Sequence, residues 1–217
     1  MDIYEALFTT RAMRRVKPDP IPIEIQAKIM DAAVRAPSGG NAQTWTFLLV
    51  DDPELKAEIG PLYRECVEIL WTSIYKDRVD TAAANPDDPR SKKFSQMLKS
   101  VEWAAANFES YPVLLFGFAR DDNSGGSIFP AIWSAMLAAR AEGVGSSLTT
   151  ILALKGDAVP SLLGVPTENW QMAACVPMGY PLGKWGVAKR RPADEVTYRN
   201  KWGTAPGFDN TEPAWTP

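Results

Sequence analysis

A chain of 217 residues with 46% apolar side chains can bury one large core, which excludes an intrinsically disordered protein. Its net charge of −3 excludes a nucleic-acid binder that works through a broad basic surface. The chain holds no histidine, so Ser-His-Asp and Cys-His catalysis, imidazole acid–base chemistry and histidine metal ligation are excluded together, and a borrowed cofactor becomes the expected carrier of any chemistry.

In chain order, residues 2–10 read as a short helix with Ile3, Leu7 and Phe8 on one side. Arg11, Arg14 and Arg15 follow, and Pro18, Pro20 and Pro22 then impose an extended connection. The spacing of Ile25, Ile29 and Ala33 predicts a second helix, opened near Pro22 and stopped before Pro37. A turn cluster at 36–44 runs into the apolar stretch Trp45 to Val50, a predicted buried strand. Residues 53–71 are again predicted helical. Residues 81–100 are polar and charged and read as a surface excursion, a candidate lid.

"YPVLLFGFARDD" at 111–122 predicts a second strand. Residues 127–140 are apolar almost all the way round, which predicts a helix buried on every side, within the core or against a second subunit. "GVGSSLTT" at 143–150 and "WQMAACVPMGYP" at 170–181 supply two further strands. From Thr204 the chain is rich in Pro, Gly and Asp and is expected to lie along a neighbouring surface. Helices and strands interleave through connections of unequal length, which predicts a mixed α+β sheet domain rather than a regular doubly wound one.

Cys66 and Cys175 are far apart and predict two ordinary buried thiols in a reducing compartment, not a disulfide or a zinc site. Asp2 and Glu5 stand where a signal peptide would be basic or apolar, and no apolar run is long enough to span a bilayer; the expected location is cytoplasmic.

No dinucleotide-binding glycine fingerprint, P-loop or nucleophile elbow is present in the sequence. Four weaker signals remain. The Arg11–Arg14–Arg15 group suits bidentate capture of a phosphate, or is a solvated helix end. "PSGGNAQTW" at 37–45 offers close backbone approach at Gly39 and Gly40 and polar groups at Ser38, Asn41 and Gln43, or is an ordinary helix-to-strand turn. "GSSLTT" at 145–150 places hydroxyls at a strand end, and "KRRP" at 189–192 is a second basic knot.

Together, in this order and at these separations, the segments resemble the flavin-dependent nitroreductase superfamily, including its iodotyrosine deiodinase branch. The likeness runs from about Tyr4 to about Glu195. The family's opening arginine segment stands here as Thr10 to Val16, its "APSxxNxQPW" turn as Ala36 to Trp45, and its ring-bordering segment as Leu148, Thr149 and Thr150. "GYP" at 179–181 followed by Arg190 matches the late segment. Thr10 and Ala12 replace an arginine and a serine of the pattern, and Thr44 replaces a proline.

The resemblance implies an α+β, nitroreductase-like fold, a mixed central sheet flanked by helices, in an intertwined homodimer. It implies one FMN-binding domain over 1–203, with 204–217 as an extension packing on the partner subunit. It implies that Arg11, Ala12, Met13 and Arg14 grip the FMN phosphate, that Arg190 closes on it, and that Arg15 points to solvent. Pro37, Ser38, Gly39, Asn41 and Gln43 line the flavin and ribityl chain, and Leu148, Thr149 and Thr150 border the ring. The implied activity takes hydride from NADH or NADPH and reduces a small electrophile, a nitroaromatic, quinone or similar, with no catalytic side chain and no metal. Reductive dehalogenation of a halogenated aromatic and non-catalytic flavin binding are the alternatives. Tyr63, Trp71 and Tyr75 are candidates to stack on an aromatic substrate, or are core residues of their helix.

Overall fold

The computed structural model describes residues 1–210 and 212–216. They group into two compact units, Met1–Arg11 with Trp185–Pro217, and Ala12–Lys184.

The larger unit is built on four strands, β1 (Trp45–Val50), β2 (Val113–Ala119), β3 (Gly145–Ser146) and β4 (Gln171–Gly179), in the order β1-β2-β4-β3. Every ladder is antiparallel, and an isolated bridge between Ala12 and Ser146 is the parallel pairing among the described residues. Strand β2 is buried along its whole length because both of its faces are covered. Leu114, Phe116 and Phe118 point to one core, and Val113, Leu115 and Ala119 to the other, at the two-residue period of a strand.

Helices α2 (Ile23–Ala33) and α6 (Ile128–Ala141) cover one face through Ile29, Ala33, Ala131 and Ile132. Helices α3 (Pro53–Ile69) and α5 (Pro89–Ala106) cover the other through Ile59, Tyr63, Val101 and Ala104. Short helices α4 (Lys76–Ala84) and α7 (Ala158–Leu162) complete the unit. Helix starts follow their caps. Asp52 accepts from Glu54 N and Leu55 N, both at 2.9 Å, ahead of Pro53, and Asp122 Oδ2 accepts from Ser127 N and Ile128 N at 3.0 and 2.9 Å.

Several expectations change. Residues 81–100, read as a surface excursion, are mostly exposed and are helical: they belong to α4 and α5, joined by a turn at 85–88. Phe94, Val101, Ala104 and Ala105 lock α5 onto the core, an apolar stripe hidden among lysines and serines. Strand β1 is an edge strand paired to β2 alone, so it is half-exposed rather than buried. Within one chain α6 is covered except along one line, where Phe129 and Trp133 are 38% and 39% exposed. The helix predicted to run to residue 71 ends at Ile69 and widens into a π turn, Leu70–Ile74, closed by Tyr75 N to Leu70 O at 2.8 Å.

In the smaller unit α1 (Ile3–Thr9) is capped by Asp2, which accepts from Glu5 N at 2.8 Å. Ile3 and Leu7 are exposed, and Ala6 and Thr9 are buried. The C-terminal stretch runs beside α1, with Ala188 N donating to Phe8 O at 3.0 Å and the Trp215 ring 6.3 Å from that of Phe8. Asn210 N donates to Asp194 Oδ1 at 3.3 Å, so the tail folds back within this unit.

Candidate functional site

The segment Ala12 to Val16 is held against β3 and β4. Met13 N donates to Ser146 O at 2.9 Å, Lys17 N to Tyr180 O at 2.7 Å and Leu182 N to Arg15 O at 2.9 Å. Two glycines permit this approach. A Cβ at Gly145 would stand 2.9 Å from Met13 Cβ, and one at Gly179 would stand 2.8 Å from Val16 Cγ2. Met13 and Val16 are buried, Arg14 is half-buried and Arg15 is exposed. The Arg14 carbonyl accepts a hydrogen bond from the Tyr111 hydroxyl, which fixes the backbone that carries the guanidinium.

Arg14 opens into a cavity of about 260 Å³ that Tyr63, Tyr75, Leu148, Thr149 and Thr150 also line. Leu70, Met97, Val101 and Ile151 form its apolar wall. Among the described residues no carboxylate pairs with Arg14. Thr149 is pinned to β4 by reciprocal bonds with Cys175, at 2.8 and 2.9 Å, which sets Leu148 and Thr150 to either side of it.

Tyr63 lies in the core, its ring stacked on Phe108 at 4.1 Å between centroids, a contact worth about 1 kcal/mol beyond burial. Tyr63 is also one of the residues that line the cavity. Burial pushes its pKa up to about 12, so it stays a neutral phenol. Trp71 packs beside Tyr75 and edge-on to Phe94, and its Nε1 is buried without an acceptor. Of the three proposed stacking residues, Tyr63 and Tyr75 line the cavity and Trp71 does not; Tyr63 is buried, whereas Tyr75 is half-buried beside Trp71.

The Ser38–Gln43 turn stands elsewhere. Gln43 N donates to Ser38 Oγ at 3.0 Å and Gln43 Nε2 to Asn41 Oδ1 at 3.1 Å, while Gly40, Asn41 and Gln43 all have φ of 50–56°. That left-handed backbone is costly outside glycine, and the internal hydrogen bonds hold it. The turn seats on the start of α6, Gly39 N donating to Ser127 Oγ at 3.4 Å, at the β1 edge and on the α2/α6 face. The cavity lies at the β3 edge on the α3/α5 face. Three strand spacings of about 4.8 Å, roughly 14 Å, separate the two edges. Within one chain the structure does not bring Pro37, Ser38, Gly39, Asn41 and Gln43 to Arg14 and Thr149.

In the smaller unit Arg11 and Arg190 are both exposed. A Cβ at Gly186 would stand 3.7 Å from Arg11 Nη1, so the end of α1 and the segment leading to Arg190 adjoin. The sequence did not single out Arg78 and Val101 as cavity residues, and it offered Met97 only within the 81–100 candidate lid. The available signals were the position of Arg78 three residues after Tyr75 and the helical spacing of Met97 and Val101.

A sheet clad by helices, an arginine segment threaded beside its last strands and a left-handed turn ahead of its first strand define one class, and the chain belongs to the nitroreductase family, whose model matches residues 7–180. Iodotyrosine deiodinase 1 of Rattus norvegicus is 28% identical over 210 residues, covering 90% of this chain and 68% of that protein. An NADH dehydrogenase of Thermus thermophilus is 26% identical over 206 residues, covering 90% and 95%. Among solved structures, an oxidized iodotyrosine deiodinase bound to FMN and 3-iodo-L-tyrosine superposes with a TM-score of 0.70 at 22% identity, covering 92% of this chain and 99% of that one. The FMN-dependent nitroreductase NfnB from Mycobacterium smegmatis, in complex with NADPH, gives 0.66 at 21% identity, covering 92% and 100%. These structural likenesses establish the fold.

Proposed function

We propose that this chain is an FMN-dependent oxidoreductase that works as a homodimer, taking hydride from NADH or NADPH and reducing a small electrophile such as a nitroaromatic or quinone. The observation that carries the reading is Arg14, a half-buried guanidinium with no carboxylate partner among the described residues, at a cavity walled by apolar side chains. The donor set fits FMN. Arg14 suits a phosphate, Leu148 and Ile151 suit a flat apolar ring, and Thr149 and Thr150 offer hydroxyls to its polar edge. Arg11 and Arg190 are proposed as further phosphate ligands from the sequence motif rather than from geometry.

FMN, when bound, would supply hydride acceptance and donation, chemistry that no amino-acid side chain provides. The chain's part is to bind and shield. Leu70, Met97, Val101 and Ile151 keep water from the cavity, and the Tyr63 hydroxyl, held neutral by burial, does not act as a base. Placing the Ser38–Gln43 turn on the same ligand requires a second copy, because one chain holds turn and cavity at opposite sheet edges. The exposed Phe129 and Trp133 of α6, the helix on which the turn seats, offer the apolar surface for that copy. The free thiols Cys66 and Cys175 are buried, and among the described residues no helix is long and apolar enough to cross a membrane; a reducing, cytoplasmic setting is proposed from the sequence.

The purified protein is expected to be yellow and to bleach with NADH or NADPH under anaerobic conditions, recovering colour on addition of a nitroaromatic or quinone. A colourless protein that takes up no added FMN would overturn the reading, and a yellow protein that neither nicotinamide bleaches would make it a flavin carrier. A second reading, reductive dehalogenation, draws support from the deiodinase relatives. Its mark is halide release from an iodinated phenol.

A further inference from the structure

Of the two charged residues that line the cavity, the cofactor reading uses Arg14 and leaves Arg78. Arg78 stands on α4, its guanidinium carbon 5.2 Å from the Tyr75 ring centroid and 4.6 Å from that of Phe94. Two ring faces thus hold the group in place without removing its charge. On the helix its neighbours at three and four positions are Ile74, Tyr75, Thr81 and Ala82, so no carboxylate sits at ion-pair spacing. It forms no ion pair among the described residues. Asp88 shares an adjoining cavity of about 480 Å³ with it, but Asp88 Oδ1 already accepts from Arg90 N and Ser91 N at 2.8 and 3.1 Å to cap α5.

We infer that Arg78 makes this cavity a site for an anionic aromatic acceptor, a ring bearing a carboxylate or similar acid and no cationic group. The ring meets Leu70, Tyr75, Met97 and Val101, and the acid meets the Arg78 fork. Selectivity follows from the sign of the lining. Both of its charged residues are arginines, so nothing there matches an ammonium. The 3-iodo-L-tyrosine held by a structural neighbour carries both an acid and an ammonium group, and this cavity is built for only the first of them. The inference rests on the FMN reading and specifies the acceptor class for the same site.

The test titrates FMN-loaded protein with 4-nitrobenzoate, 4-nitrobenzamide and 4-nitro-L-phenylalanine, following the perturbation of flavin absorbance. The benzoate is expected to bind about tenfold or more tighter than the amide, the scale of one charge-assisted hydrogen bond, and the zwitterion no tighter than the amide. Arg78→Met should erase the preference while FMN affinity stays within about twofold. Equal binding of benzoate and amide, a preference that survives Arg78→Met, or tightest binding of the zwitterion would each overturn the inference. Failure of the cofactor reading shows separately, as protein that takes up no FMN. Equilibrium dialysis of the same three compounds against wild type and Arg78→Met then decides by the same ratios.

Discussion

Arg14→Ala is expected to weaken FMN binding by about 10- to 100-fold, while Arg15→Ala changes it by less than about twofold. One or two charge-assisted hydrogen bonds to a phosphate contribute about 1.5–3 kcal/mol, and alanine removes them all. The two arginines are adjacent in sequence, but Met13 and Val16 are buried against β3 and β4, which turns Arg14 toward the cavity and leaves Arg15 in solvent. Arg14→Lys should fall between, because an ammonium restores charge without the planar fork. Quenching of FMN fluorescence on titration reads all three, and an unchanged thermal midpoint of the FMN-free variants confirms that folding is intact. A large loss at Arg15 with none at Arg14 would place the wrong residue on the phosphate.

The second large effect concerns the shared site. Arg14→Ala and Gly39→Trp are each expected to bind little FMN, yet mixed dimers of the two should recover it. Gly39 suits the test because nothing lies within 4 Å of a Cβ built there, so a bulky side chain blocks a ligand without disturbing the turn. If the turn of one copy serves the cavity of the other, a heterodimer carries one site with both lesions and one site with neither. Random reassortment makes about half the dimers mixed, which returns about a quarter of the wild-type sites. Differently tagged, co-expressed chains purified through both tags would show half-occupancy per dimer. No recovery would mean that one chain supplies both groups, against the opposite-edge placement.

Much of the scaffold was legible because local pattern and tertiary burial agree. Strand β1 is bounded by a turn cluster and by Asp51-Asp52, and β2 is an unbroken apolar run, the pattern of a strand covered on both faces. Helix α5 was obscured since Lys92, Lys93 and Lys99 dominate its composition while Phe94, Met97, Val101 and Ala104 carry its packing. The 143–150 segment read as a strand, but only Gly145–Ser146 pairs in a ladder before the chain leaves β4 and returns at Thr149.

Each site motif was visible locally, whereas their arrangement was not. Strand order is a long-range property, and only the order β1-β2-β4-β3 reveals that the turn before β1 and the Leu148–Thr150 segment sit at opposite edges. The part of Arg78 was hidden for a related reason. The π turn at Leu70–Ile74 adds a residue to the helical register, which re-aims α4 in a way no 3.6-residue periodicity forecasts.

Sedimentation velocity followed at the flavin absorbance maximum tests most directly whether two copies jointly hold FMN. The yellow boundary is expected to move as a dimer of the 23.8 kDa chain with one FMN per chain, and Arg14→Ala to sediment as a dimer but without colour. Flavin moving with a monomer, or a dimer whose colour survives Arg14→Ala, would contradict joint binding by two copies.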